Sequence, residues 1–269
     1  MKVKMLDLNG VITKDIELPV QFDEEYRPDV IKRAFMSIRM NRRHAYGAKE
    51  NSGMRYSSKI SRRRRDFKGA YGKGISRVPR KTMTRRGMQF YWVGATAPNT
   101  VGGRRAHPPK AEKIWAEKIN IKERRKAIRS AIAATMNKDA VMKRGHRIKG
   151  VFPFIIDSKI EDVKKTKDIF DFMKKIGLEN ELERTSETKI RSGVGKKRGR
   201  RYRNKKGALF IISRDDCKLA RSARNINGCD VAAVNSINAE MLAPGGIPGR
   251  LCIWSEAAII RIGKEGLFK

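Results

Sequence analysis

Acidic residues are scarce in this chain: 28 Asp and Glu stand against 63 Lys and Arg in 269 residues, a formal charge of +35 at neutral pH. A field of that size repels itself and calls for a polyanionic partner. Cysteine is nearly absent. Cys217, Cys229 and Cys252 form an odd set without a C-x-x-C pair, so neither a disulfide framework nor a zinc ribbon is indicated, and all three are expected to be small core residues. Histidine is equally sparse, and His44, His107 and His146 lack the i, i+4 partner of a helical metal site. No metal and no cofactor is expected. No apolar run approaches the ~18 residues of a membrane span. Asp7 and Asn9 interrupt the start of the chain where a signal peptide carries continuous apolar residues, so the expected setting is cytoplasmic, with no membrane partner.

The signatures of phosphate-handling enzymes are missing too. No strand-like run leads into G-x-G-x-x-G, since Gly69, Gly72 and Gly74 are spaced otherwise, and no Walker lysine follows any glycine cluster. Gly245-Gly246-Ile247-Pro248-Gly249 has the look of a phosphate loop but lacks the Lys-Ser/Thr behind it and reads as a turn. Asp215-Asp216 reads as the cap of a helix start, where carboxylates meet the positive end of the dipole, and not as a metal pair. Catalysis and a small-molecule substrate are therefore not expected.

The excess charge is concentrated in two stretches. From Arg39 to Lys113 there are 21 Lys and Arg against Glu50, Asp66 and Glu112, among nine glycines. Residues 46–109 show no sustained period and read as one extended basic loop, far beyond the ~15 residues of an ordinary connection. Arg62, Arg63, Arg64 and Arg65, with Lys73, Arg77, Arg80, Lys81, Arg85, Arg86, Arg104 and Arg105, lean towards the planar guanidinium that suits phosphates and base edges. Tyr56, Phe67, Tyr71, Phe90, Tyr91 and Trp92 lie among them, and aromatics in such a segment can stack on unpaired bases. A solvated linker is the plain alternative, but disordered segments are poor in aromatics. The second stretch, 189–206, holds ten cations and no acid: Lys189, Arg191, Lys196, Lys197, Arg198, Arg200, Arg201, Arg203, Lys205 and Lys206, with Tyr202 between them. It reads as a phosphate-clamping segment in preference to a nuclear-localisation signal.

The remainder, 1–45 and 110–269, reads as one α/β globular domain: a mostly parallel sheet with helices on both faces. Val3–Leu8 and Val11–Leu18 are expected strands about an Asn9-Gly10 turn, and Pro28-Asp29 opens a helix with Val30, Ile31, Ala34, Phe35 and Ile38 on one stripe. Helix is expected to restart at Pro108-Pro109 and to run through the Ala127, Ile128, Ala131, Ile132 stripe. Further strands are expected at Val151–Ile156, Ala208–Ile212, Asp230–Val234 and Leu251–Trp254. Helices are expected to carry Ile169, Phe170 and Met173 on one face with Gly177 as stop, to span Asp215–Ile226, to begin at Ser236 and to be capped by Ser255.

Several short motifs, taken together, are specific. They are Asn41-Arg42-Arg43 with Tyr46-Gly47, Ala106-His107-Pro108-Pro109-Lys110, Ala127-Ile128-Arg129-Ser130-Ala131 with Arg144-Gly145-His146, Arg198-Gly199-Arg200 with Tyr202-Arg203, and Leu242-Ala243-Pro244-Gly245-Gly246 running into Pro248-Gly249-Arg250-Leu251. On these the chain resembles the archaeal/eukaryotic branch of the ribosomal large-subunit protein L-four family over nearly its whole length. The resemblance implies a structural rRNA-binding protein whose globular domain sits on the large-subunit surface and whose loop reaches the wall of the polypeptide exit tunnel. Arg42, Arg43 and the cations of both basic stretches would then contact large-subunit rRNA. Arg77, Arg80, Arg85, Arg86 and Gly87 would form the tunnel tip, facing the nascent polypeptide. Neighbouring large-subunit ribosomal proteins would be the other partners. The stretch from Phe90 to Thr100 departs from the family's commoner tip, and the stop at Lys269 without a lysine-rich extension fits an archaeal-type ribosome. An RNA-processing or RNA-modifying enzyme with a basic capture loop is the alternative, and a chromosomal DNA binder a third.

Overall fold

In the computed structural model, which describes all of residues 1–269, the chain falls into two compact units: Met1–Arg42 with Ala116–Lys269, and Arg43–Trp115. The strands are β1 (Lys2–Leu6), β2 (Ile12–Glu17), β3 (Arg80–Arg86), β4 (Gln89–Gly94), β5 (Phe154–Ile156), β6 (Lys189–Ile190), β7 (Tyr202–Arg203), β8 (Leu209–Ile212), β9 (Asp230–Ala233) and β10 (Cys252–Ser255). The helices are α1 (Pro28–Asn41), α2 (Ile121–Met136), α3 (Lys138–Lys143), α4 (Thr166–Lys175), α5 (Glu179–Ser186), α6 (Lys218–Ser222), α7 (Ala239–Leu242) and α8 (Glu256–Lys264).

The first unit is built on a six-stranded sheet in the order β2-β1-β5-β10-β8-β9, in which only β1 and β2 pair antiparallel. Strands such as Leu209–Ile212 and Cys252–Ser255 are buried at every position, as a parallel sheet covered on both faces demands. Their period of two divides the core cleanly. Met5, Ile155, Leu209, Ile211 and Trp254 face one layer, formed with Ile31 of α1, Ile128 and Ile132 of α2 and Ile259 and Ile262 of α8. Leu6, Phe154, Ile156, Phe210, Ile212 and Ile253 face the other, formed with Ile169, Phe172 and Met173 of α4, Leu182 of α5 and Leu219 of α6. Ala34 of α1, Ala127 of α2 and Ala239 of α7 meet in a third cluster, where the lack of bulk lets three helices approach closely. The α/β fold with a mostly parallel sheet and helices on both faces is thus the one expected.

Several local expectations are corrected. No helix runs from Pro108 to Asn120: Glu117 instead lies extended against α1, its carbonyl accepting from Ser37 Oγ (2.7 Å) and its N–H donating to Asn41 Oδ1 (3.1 Å), so its backbone is satisfied without a helix. In α4 it is Phe172, not Phe170, that joins Ile169 and Met173 in the core. The helix expected from Asp215 starts only at Lys218, after Cys217, whose thiol donates to Glu161 Oε2 (3.1 Å) and holds that residue extended; Asp215 and Asp216 lie in the turn ahead of it. Ser236 does not begin α7, because its hydroxyl turns back to the Ala233 carbonyl (3.0 Å); Asn238 caps the helix, its Oδ1 accepting from Met241 N–H (2.9 Å). Strand β5 begins at Phe154, just past Pro153, which has no N–H to offer a ladder. Ser255 caps α8 as expected, accepting from Ala258 N–H at 3.1 Å.

Gly177, the stop after α4, adopts φ +82°, and a Cβ there would fall 2.3 Å from the Lys149 carbonyl oxygen. Gly177→Ala combines a disfavoured backbone with a clash against main chain. It should lower stability by more than ~1 kcal/mol, read as a lower urea midpoint at unchanged m-value.

The second unit contains a hairpin that the sequence did not announce: β3 and β4 pair antiparallel, with a bulge between Lys81 and Thr84. Arg86 pairs with Gln89, so the chain reverses over Gly87-Met88, and Gly87 at φ +64° takes the first central position that a type II′ turn reserves for glycine. Only Gly69, Ala70 and Ala95 are buried in this unit, so it has almost no apolar core of its own.

Candidate nucleic-acid interface

Between Arg43 and Trp115 the sequence places nineteen Lys and Arg, and not one takes part in an ion pair. Every ion pair of the chain lies in the first unit. The carboxylate nearest the tetrad, Asp66, makes no ion pair with it: Ser61 Oγ donates to Asp66 at 2.5 Å, which with the Phe67 backbone N–H and, less, the Arg63 charge holds its pKa below the usual carboxylate value. Arg62, Arg63, Arg64 and Arg65 are all exposed, with Arg65 in the left-handed region at φ +58°.

Not every cation of this unit is free. Arg80 is half-buried and braces the hairpin, donating to the Trp92 carbonyl (2.9 Å) and to Ser76 O and Oγ (3.0 and 2.9 Å). Lys81 Nζ lies 3.5 Å from the Tyr56 ring centroid and Lys73 Nζ 4.2 Å from that of Trp92. The Arg43 guanidinium stands 3.6 Å over Trp115, whose ring stacks on Tyr46 at 5.7 Å and 14°. Cation–π interactions of this kind keep a cation's charge while fixing its position. Lys73, Arg77, Arg85, Arg86 and Arg105 remain exposed and Arg104 is half-buried; Phe67, Tyr71, Phe90 and Tyr91 show large exposed ring surface.

In the first unit, residues 189–206 form a short hairpin: Lys189 pairs with Arg203 and Ile190 with Tyr202, extended by Arg191 N–H to the Arg201 carbonyl at 2.8 Å. Lys205 and Lys206 are neutralised by Glu187 (2.6 Å) and Asp230 (2.8 Å). The other eight cations, Lys189, Arg191, Lys196, Lys197, Arg198, Arg200, Arg201 and Arg203, are exposed and without a carboxylate. Tyr202 is 56% exposed, beside the Arg201 guanidinium, so one aromatic face is available within the block. Arg42 differs from these: with Arg39 it shares Glu240 of α7.

Sequence reasoning missed the role of Trp115 and the division between braced and free arginines. Trp115 carried a faint signal, as an aromatic eight residues beyond His107. Which arginines fold back on the chain depends on where the Ser76 and Trp92 carbonyls point, and no spacing encodes that.

The arrangement offers two surfaces dense in unpaired guanidinium groups, interspersed with exposed rings. No group of three or more His, Cys, Asp or Glu could hold a metal ion, and no helix is long and apolar enough to cross a membrane. Comparison with known proteins converges on one family. The model for the family described as ribosomal protein L4/L1 matches residues 16–265. The large ribosomal subunit protein uL4 of Nanoarchaeum equitans is 47% identical over 268 residues, covering 100% of both chains. Those of Archaeoglobus fulgidus and Methanocaldococcus jannaschii are 44% and 41% identical over 265 residues, each covering 97% or more of both chains.

Proposed function

Since this chain belongs to the ribosomal protein L4/L1 family, a family of structural and not enzymatic proteins, we propose that it binds large-subunit rRNA through two basic surfaces and extends the 43–115 unit towards the peptide exit tunnel. The observation that carries the reading is the separation of charge: every ion pair lies in the first unit, while nineteen cations of the second face no carboxylate. Unpaired guanidinium groups gain most from phosphate, because nothing must be broken before the contact forms and counterions are released from the RNA. Phosphate contacts of this kind set register, and the exposed Tyr71, Phe90, Tyr91 and Tyr202 rings can take unstacked bases.

Two measurements test this. Tagged protein in a lysate of the source cell should cosediment with large ribosomal subunits, and purified protein should bind a large-subunit rRNA transcript with log affinity that falls linearly with log salt. Matched double-stranded DNA should bind more weakly at the same salt, and equal affinity would replace the rRNA reading by a general polyanion one.

The cations beside the reversal at Gly87-Met88, Arg85 and Arg86, would give a narrow passage a positive potential that holds basic nascent segments longer than acidic ones, while Arg77 lies at the open end of the hairpin, before the Arg80–Gly94 pair. Replacing Arg85–Phe90 by Asn-Gly keeps the Thr84 and Tyr91 pair to close a shorter hairpin. Subunit assembly on gradients should be retained and elongation through poly-basic reporters should change relative to poly-acidic ones. Loss of assembly would make this end of the hairpin an rRNA anchor; unchanged rates on both reporters would remove it from the path of the nascent chain.

A further inference from the structure

A groove of about 520 Å³ lies in the first unit between the C-terminal half of α1, the loop after α7 and the Arg224 turn after α6. Five cations line it, Arg39, Arg42, Lys206, Arg224 and Arg250, against two carboxylates, Glu240 and Asp230. The carboxylates are each shared by two cations: Glu240 by Arg39 (3.3 Å) and Arg42, Asp230 by Lys206 (2.8 Å) and Arg250 (2.5 Å). Arg224 is exposed and has no carboxylate, so the groove keeps a net +3. Its apolar wall is supplied by the half-buried Phe35 and Met241.

The cavity is built, not incidental. Arg250, 1% exposed, is fixed by donating to the Gly207 (3.0 Å) and Met241 (3.0 Å) carbonyls as well as to Asp230, so its charge cannot leave the site. Behind the loop, Arg144 donates to the Pro244 (2.6 Å) and Ile247 carbonyls. Burial, and then the Arg250 and Arg184 charges, bring the Arg144 pKa down to about 10. The volume suits a ligand of nucleotide size, within the ~300–1,000 Å³ of typical ligand pockets. A flat apolar wall beside an anion-seeking rim matches a base joined to phosphate. It matches a duplex poorly, since bases stacked inside a helix could not reach Phe35.

We propose that this groove takes one unstacked nucleotide of single-stranded or bulged RNA, its base against Phe35 and Met241 and its flanking phosphates against Arg39, Lys206 and Arg224. The proposal rests on the RNA-binding reading above and adds a site on the globular unit, where Arg39 and Arg42 at the start of the first basic stretch and Lys206 at the end of the second come together with Arg224 and Arg250.

The test uses the full chain and a large-subunit rRNA transcript carrying 4-thiouridine, photocross-linked and mapped by mass spectrometry. Cross-links are expected on peptides holding Phe35 or Met241, in addition to those in 43–115. Arg224→Glu, at an exposed position, should abolish the groove cross-links, leave those of 43–115 in place and weaken binding by about tenfold. Phe35→Ala should weaken it about tenfold, as expected for the loss of one stacked base, and circular dichroism should show both variants folded. Should Phe35→Ala fail to fold, Arg224→Glu alone decides. Wild-type binding by Arg224→Glu, with no cross-link at Phe35 or Met241 while 43–115 still cross-links, overturns the groove and leaves the RNA-binding reading standing. No binding of the transcript by the unaltered chain overturns both.

Discussion

Replacing Arg198, Arg200, Arg201 and Arg203 by Ala should lower affinity for a large-subunit rRNA transcript by about a thousandfold at about 0.1 M salt, because every phosphate left without its arginine takes roughly 0.7–0.9 off the slope of log affinity against log salt. The slope should become shallower by about 3. None of the four arginines has a carboxylate to release it from, and the ladder that carries them is made of backbone, so Ala leaves the hairpin in place. The matched control removes the same charge elsewhere: Lys2, Lys14, Lys159 and Lys218 each pair with a carboxylate. Their replacement should change the slope far less. If both quadruple variants shift it equally, net charge and not a clamp at 191–203 governs binding.

The second large effect concerns stability. Glu181 of α5 is 1% exposed and its carboxylate is fully engaged: Arg184 donates through Nη2 to Oε1 (2.6 Å) and through Nε to Oε2 (2.8 Å), Arg147 N–H donates to Oε2 (3.1 Å), and His146 Nδ1 lies 2.7 Å from Oε1. Glu181→Leu leaves a buried imidazole N–H, a backbone N–H and much of a guanidinium without an acceptor. The cost should be about 3–5 kcal/mol, measured as a lower urea midpoint at pH 7. The pH dependence has a definite sign. Burial lowers the His146 pKa from 6.5, against the pull of Glu181, so the unfolded chain takes up that proton first and stability begins to fall as pH drops below 6.5. Burial works against ionisation of Glu181, but its hydrogen bonds from Arg184 and His146 outweigh it; in Glu161, those from Ser213, Ser255 and Cys217 do the same. Both carboxyls therefore titrate below 4.5 in the folded state, and their contribution disappears as pH falls from 4.5 through those lowered values. Glu181→Leu should flatten the acid limb of the stability curve. A variant as stable as the parent at pH 7, or with an unchanged acid limb, would mean that the network does not hold the fold.

The sequence was most readable where burial imposes a pattern. Ala208–Ile212 and Leu251–Trp254 are continuous apolar runs because their strands are covered on both faces, and Ile128, Ala131 and Ile132 repeat because α2 has one buried face. The hairpin at 80–94 was unreadable for the same reason inverted: Arg80–Arg86 has no buried residue on either face, so nothing alternates. Within 166–175 Phe170 and Phe172 flank the Ile169 and Met173 stripe on opposite sides, and which of them is covered depends on how α4 is rotated against the sheet, which its own sequence does not fix. At the interface, the density of cations was plain from Arg62 to Arg65 and from Arg198 to Arg203. What could not be read was pairing across distance, since Glu240 meets Arg42, and Arg250 meets Gly207, only after the helices and strands between them have packed.

The partition of ion pairs gives the two units opposite responses to heat. The penalty for dehydrating a charge shrinks as temperature rises, so pairs such as Arg129 with Glu24 (2.6 Å) or Arg250 with Asp230 (2.5 Å) grow relatively more favourable in a hot cell. The 43–115 unit has no such pairs to strengthen and little apolar surface to bury. Warming therefore tightens the part of the molecule that is already self-sufficient, while on the proposed reading the 43–115 unit would draw its thermal endurance from the phosphates it neutralises; in a thermophile, that unit would be only as heat-resistant as its RNA.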